Sequence, residues 1–225
     1  DVLPVFKRSE DYQHVVDDFH GEGGELRVEE RRVNCEILDA WREAAEQCGI
    51  PKIEEFNRGD NFGNAYFQMT QRTGKRWSAV RAFLEPAMKR PNLTIRTHVH
   101  VKRLTFAQDD QGPVANGIEV RMADGSQHTF RANREVVLSA GAIGSPQILQ
   151  LSGVGADALL AERGIHCVHT LPGVGENLQD HLQIRTIYTV NNTVTLNQRA
   201  NSFWGKAAMG LEYFLFKTGP LTMPP

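Results

Sequence analysis

The sequence predicts an α+β fold, and three observations predict it. Residues 93–132 hold three β-rich stretches separated by turn residues, the pattern of an antiparallel meander. Residues 136–140 (VVLSA) form an apolar run that passes at once into small residues and a helix start, as a strand buried on both faces does. Residues 34–47 and 203–216 place apolar side chains at helical spacing.

Taken in chain order, residues 1–20 read as a short helix with its charges on one side, broken by Gly21, Gly23 and Gly24. Residues 25–31 alternate loosely and predict a strand. In 34–47, Leu38, Trp41, Ala45 and Cys48 share a helical face, and Gly49 is a natural C-terminal stop. Pro51 opens a loop, and 57–64 are rich in the turn residues Asn, Gly and Asp. A strand over 66–71 and a turn over 72–75 follow. Ser78 is placed to cap a helix running to Met88, with Val80, Phe83, Leu84 and Ala87 on its buried side and Pro86 ending or kinking it.

The meander begins with 93–97, Val99 and Val101 and, after a break in register, Leu104 and Phe106. A turn at 109–113, a strand over 114–122, a hairpin turn at 123–126 and a strand over 127–132 complete it. Ser145 followed by Pro146 predicts that the next helix starts there. Residues 189–197 are polar, a loop or an exposed strand. The helix over 203–216 carries Trp204, Ala207, Ala208, Leu211 and Leu215; it is too short to span a bilayer, and burial in a core is favoured over contact with a membrane surface.

Composition narrows the function classes. Among 225 residues, 25 Lys and Arg stand against 27 Asp and Glu, a net charge of −2, without the basic footprint of a nucleic-acid binder. With 40% hydrophobic and 23% charged residues, the chain has a globular composition. Cys35, Cys48 and Cys167 are odd in number and widely spaced, so neither a disulfide framework nor a CxxC metal site is indicated, and a cytoplasmic compartment is the expectation. The chain opens without Met or a signal peptide and closes on no recognisable element, so a fragment is expected.

Chemistry concentrates at 136–146. Small residues let backbone approach a flat ligand or a phosphate closely, and a helix N-terminus offers free N–H groups. By itself this is equally an ordinary Gly-rich strand–helix turn. The continuation is more specific. Residues 141–155 (GAIGSPQILQLSGVG) match, at every constrained position, one signature of the glucose–methanol–choline (GMC) oxidoreductase family: a small pair, Ser-Pro, two aliphatics and Ser-Gly-aliphatic-Gly, with free positions between, Gln150 among them. Residues 171–181 (LPGVGENLQDH), 90–95 (RPNLTI), 2–10 (VLPVFKRSE), 70–79 (TQRTGKRWSA) and 219–222 (GPLT) resemble further family segments, in the family's order and across nearly the whole chain. The spacing is most similar to the choline dehydrogenase-like branch.

The resemblance implies an FAD-dependent oxidoreductase that moves a hydride from the CH–OH group of a small-molecule alcohol to flavin. It implies a partial FAD-binding domain containing the meander over 91–185, and part of an antiparallel-sheet substrate domain in 1–90 and 186–225, the regions interleaving. The family's GxGxxG dinucleotide-binding turn has no counterpart here, since Gly21, Gly23 and Gly24 follow no apolar strand and open no helix. The family's catalytic His lies near its C-terminus, beyond the last matched segment. The expectation is a central fragment, inactive alone, with no catalytic residue of its own. The alcohol, the electron acceptor and the choice between oxidase and dehydrogenase are left open, and membrane association has no support.

For cofactor binding the resemblance singles out Val101, whose backbone would read adenine, together with Ala140, Gly141 and Ser145; the alternative for Val101 is a core strand residue. Asp180 and His181 could pass for a catalytic pair but fall in a structural family segment. His98 and His100 alternate along an expected strand without a third metal ligand, and His166 and His169 flank Cys167 in what reads as a strand, so no metal site is expected. Phe67, Thr70 and Gln71 either line a substrate pocket or pack in a core. Two other readings compete: a non-catalytic truncated module, and another two-domain flavoprotein, which leaves the long match over 141–155 unexplained.

Overall fold

The computed structural model describes residues 1–14 and 17–223. The chain divides into two compact units, one made of Asp1–Thr94 with Ile187–Pro225 and the other of Ile95–Thr186. Helix and sheet are mixed in both, as an α+β reading requires.

In the first unit, helix α1 covers only Leu3–Ser9, and the chain turns directly into strand β1, Glu10–Tyr12. The helix expected over 1–20 is therefore cut short, and positions 15 and 16 lie outside the described residues. Strand β2, Leu26–Val28, pairs in parallel with β1. Helix α2, Glu36–Gln47, ends in a tight cap: Gly49 takes φ +85°, and the N–H groups of Gly49 and Ile50 return to the carbonyls of Glu46 and Ala45. Of its expected buried face only Ala45 is buried; Trp41 stays half exposed.

The strand expected at 66–71 shrinks to β3, Gln71–Arg72, which pairs with β4, Lys75–Arg76, across Thr73 and Gly74, both left-handed. That is the two-residue hairpin whose turn matches strand twist. The following helix, α3, opens as a π-helical stretch, Val80–Leu84, and continues as Glu85–Ala87. Pro86 is its penultimate residue, so the helix stops one residue after it, and Ser78 makes no side-chain cap. Ala82 is buried and Leu84 and Ala87 are half-buried, while Val80 and Phe83 are exposed, so only part of the expected face is covered.

The second unit carries the meander. Strands β5 (His100–Asp109), β6 (Gly112–Arg121) and β7 (Gln127–Arg131) form an antiparallel sheet in sequential order. The register slips between Val101 and Arg103, where the sequence pattern breaks. Residues 93–99 are not strand; His98 sits at φ +57°, so His98 and His100 do not alternate on one strand as expected. Helix α4, Gly141–Leu151, and helix α5, Asp157–Glu162, follow, with β8 (Val154–Gly155) pairing in parallel with β9 (His169–Thr170). Leu104, Val120, Val154, Leu160 and Val174 form the buried apolar set of this unit.

Two expectations fail here for one kind of reason. The run 136–140 carries no ladder, and Val137 is 77% exposed. A strand exists only through its neighbours, and among the described residues none pairs with it. Returning to the first unit, residues 189–194 are loop, and α6, Leu196–Asn201, starts on a capping box in which Thr195 and Gln198 satisfy each other. Helix α7 covers Phe203–Phe216, as predicted, but core burial is not its state: Met209 is buried, whereas Trp204, Leu211, Phe214 and Leu215 are exposed. Among the described residues no helix is long and apolar enough to cross a membrane.

Candidate functional site

The candidate site grows from the start of α4. Ala140 stands at φ −90° and ψ 13°, and Gly141 follows at φ +85°, a backbone state that disfavours any side chain. A Cβ on Gly141 would meet nothing within 4 Å, so the space over it is open. The helix thus begins four residues before the expected Ser145–Pro146 start. Left-handed Gly141 turns the chain into the helix, which Pro146 was expected to do. Ser145 lies inside the first turns, and its Oγ accepts the N–H of Ala140 at 2.9 Å. Pro146 has no N–H, so the carbonyl of Ala142 lacks its helical donor. The N–H groups of Gly141, Ala142 and Ile143 have no intrahelical acceptor and lie at the positive end of the helix dipole.

The other end of α4 is stitched to the sheet. Buried Ser152 donates to the carbonyl of Ile148 and accepts the N–H of Leu104 at 2.8 Å, so the Ser-Gly of the signature holds β5 against the helix. Val101 lies three residues earlier on β5, half-buried, opposite Val120. Because β5 is an edge of the three-stranded sheet, alternate N–H and C=O groups along it are free of sheet partners. Of the four expected cofactor residues, Ala140, Gly141 and Ser145 form one turn joined by a hydrogen bond, and Val101 stands on a different element.

Facing α4 is the loop 171–179. It is anchored by the N–H of Leu171 on the carbonyl of Gly155 and turns through Gly175 (φ +87°) and Asn177 (φ +55°). Gln150 Nε2 donates to the carbonyl of Val174 at 3.1 Å. Loop and helix enclose an open cleft of about 570 Å³. Asp180 and His181 bond only locally, the His181 N–H to the Asp180 carboxylate, and both are exposed.

The remaining candidates disperse. Among the described residues no three His, Cys, Asp or Glu side chains gather to hold a metal. Cys167 Sγ lies 3.0 Å from the Asp157 carboxylate, which also accepts from Thr170 Oγ1 at 2.7 Å. These bonds hold the Asp157 carboxyl below its ordinary range and push the Cys167 thiol up, away from the reactive thiolate. In the first unit, Gln71 is buried with its amide donated to the carbonyl of Glu30, and with Thr70 it borders a cleft of about 500 Å³ beside Tyr213 and Leu221; Phe67 is exposed and leans on Phe56.

One buried polar cluster has no mark in the sequence. His20 lies between Glu10, 3.2 Å from Nδ1, and Glu55, 3.3 Å from Nε2; Arg58 reaches Glu55 at 3.3 Å, and Tyr12 stacks on the His20 ring at 4.0 Å. It ties β1 to the loop carrying Glu55 and Arg58. The contributing residues come from two separate stretches, 10–20 and 55–58, and are of common types, so only the folded chain reveals them.

Comparison with known proteins adds the following. A family model described as GMC oxidoreductase matches residues 1–183. The oxygen-dependent choline dehydrogenase of Brucella ovis is 39% identical over 219 residues, covering 97% of this chain and 39% of that protein. An FAD-dependent oxidoreductase from Chaetomium thermophilum superposes with a TM-score of 0.86 at 28% identity, over 98% of this chain and 40% of that one. Pyridoxine 4-oxidase from Mesorbium loti gives a TM-score of 0.73 at 34% identity, over 80% of this chain and 35% of that one. The chain spans about two fifths of the length of the curated relatives it matches.

Proposed function

The chain belongs to the GMC oxidoreductase family, and on that premise we propose that it is the central part of an FAD-dependent enzyme oxidising the CH–OH group of a small alcohol, choline-like in type. FAD is the cofactor. Residues 95–186 supply part of its binding domain, and the unit formed by 1–94 and 187–223 supplies part of the substrate domain. The observation that carries this reading is the turn at 140–145: a left-handed glycine with open space above it, at the head of a helix whose first N–H groups are free.

These residues fit the cofactor. When bound, FAD supplies the acceptor for a hydride leaving the alcohol carbon. The chain's own part is binding and orientation. The N–H groups of Gly141, Ala142 and Ile143 present partial positive charge to an anionic or electron-rich edge. Gly141 lets a flat group approach the backbone without a side chain in the way. Val101 lies on an edge strand, whose outward N–H and C=O groups are of the kind that reads an adenine edge. Ser145 Oγ accepts the N–H of Ala140, which shapes the turn and leaves the Ser145 O–H available to donate to the cofactor. No described residue is assigned as the base that takes the alcohol proton.

Titrating FAD into the chain, with flavin absorbance and fluorescence as readout, tests this. The expectation is weak binding by the 225 residues and tight binding by the longer reading frame. Alcohol-dependent flavin reduction by the 225 residues alone would overturn the assignment of this chain as a part that needs the rest. A second reading, a non-catalytic module, is favoured by the unpaired run 136–140. A reading frame that stops after Pro225 and lacks an upstream GxGxxG would support it.

A further inference from the structure

We infer that Gln150 is a positioning residue of the cofactor cleft, docking the loop 171–179 onto α4 and so setting the gap between them. The inference rests on the reading of residues 95–186 as FAD-binding. The signature over 141–155 leaves position 150 free, so the sequence gives it no role. The structure does. The Gln150 amide donates to the Val174 carbonyl at 3.1 Å, and among the described residues this is the one side-chain hydrogen bond between helix and loop. The next residue, Gly175, is left-handed, and a Cβ there would fall 2.7 Å from Gln150 Nε2. The amide therefore lies directly against the glycine Cα, and an added methyl would displace it and break its bond. Lower on the side chain, Gln150 Cγ lies 3.4 Å from where a Cβ of Gly155 would stand, so the stem passes beside bare glycine backbone. Gln150 and Gly175 border the cleft together with Ile143, Pro146, Asn177 and Leu178. Beyond the anchor at Leu171 and the burial of the Val174 side chain, the amide makes the hydrogen bond that holds the far part of the loop to the helix.

The test uses the polypeptide encoded by the whole reading frame, with Gln150→Met, which keeps length and loses the donor, and Gly175→Ala, which approaches the same contact from the loop. Three quantities are read: amide exchange at 174–178, the FAD dissociation constant, and the visible circular dichroism of bound flavin. In either variant, exchange at 174–178 rises and FAD binding weakens by about fivefold, the equivalent of one lost hydrogen bond. The flavin dichroism changes shape, which a general loss of stability does not produce. In the pair Gln150→Ala with Gly175→Ala, the second change costs less than it does alone, because the amide no longer occupies the methyl site. Unchanged exchange in Gln150→Met overturns the docking role, and should that variant not fold, Gln150→Ala decides. Faster exchange with unaltered affinity and dichroism overturns the link to the cofactor. If the unsubstituted polypeptide takes up no FAD, the FAD reading falls, and exchange alone then decides the docking.

Discussion

Tyr12 shows how much a single buried group can control. It is 5% exposed, and burial pushes its phenol up to about 12, the negative charge of Glu55 and Glu30 adding to the effect. An exposed phenol titrates near 10, so folding favours the neutral form. The resulting stability is complete below about pH 10 and is lost as pH rises through about 12; a gap of two units corresponds to ~2.7 kcal/mol. Tyr12→Phe keeps the ring on His20 and removes the proton. Its urea midpoint is expected to fall less steeply between pH 10 and 12 than that of the parent chain; parallel curves would show that the phenol is not the group responsible. The sequence announces no such neighbourhood, because Glu10, Tyr12, His20 and Glu55 meet only after the chain has reversed direction. Ser145 is the opposite case. Its signature was legible, but its partner was not, since the bond to Ala140 depends on the left-handed state of Gly141.

Among elements, those whose stability is local were legible and those that depend on distant partners were not. The meander, α2 and α7 follow from periodicity and turn chemistry within a few residues. The run 136–140 has the composition of a buried strand, but pairing is supplied from elsewhere in a chain, and no pattern inside the run reveals whether it is there. Pro146 misplaced the start of α4 because proline favours a first turn, while Gly141 had already provided one. That placement has a measurable cost. Proline in a helix interior is about 3 kcal/mol less favourable than alanine. Pro146→Ala restores a donor for the Ala142 carbonyl and is expected to stabilise the chain by about 1–3 kcal/mol, read from urea unfolding. A loss of stability would mean that the missing donor is compensated within the turn.

At the scale of the whole molecule, apolar surface is distributed unevenly. Leu182, Ile184 and Ile187 are at least 83% exposed, within residues 180–194 that form neither helix nor strand. Few contacts hold this segment, so it should open first. Limited trypsin treatment is expected to cut at Arg185 before Arg103 or Arg121 in the sheet, with mass spectrometry identifying the fragments. Early cleavage within β5 or β6 would contradict the order of local stability drawn from the fold. The exposed face of α7 belongs to the same distribution, and it is why helical period alone predicted the helix correctly and its burial wrongly.

The first unit is assembled from both ends of the sequence, and this gives its folding a schedule. The N–H of Gly219 bonds the carbonyl of Arg32, and Thr193 reaches Glu36, so residues near the start are completed by residues made long afterwards. On a ribosome adding ~5–20 residues per second, roughly 6–25 s separate the emergence of residue 94 from that of residue 219. Residues 95–186 are contiguous and can fold during that wait. The first 94 cannot finish, and nascent-chain binders have that interval in which to hold them.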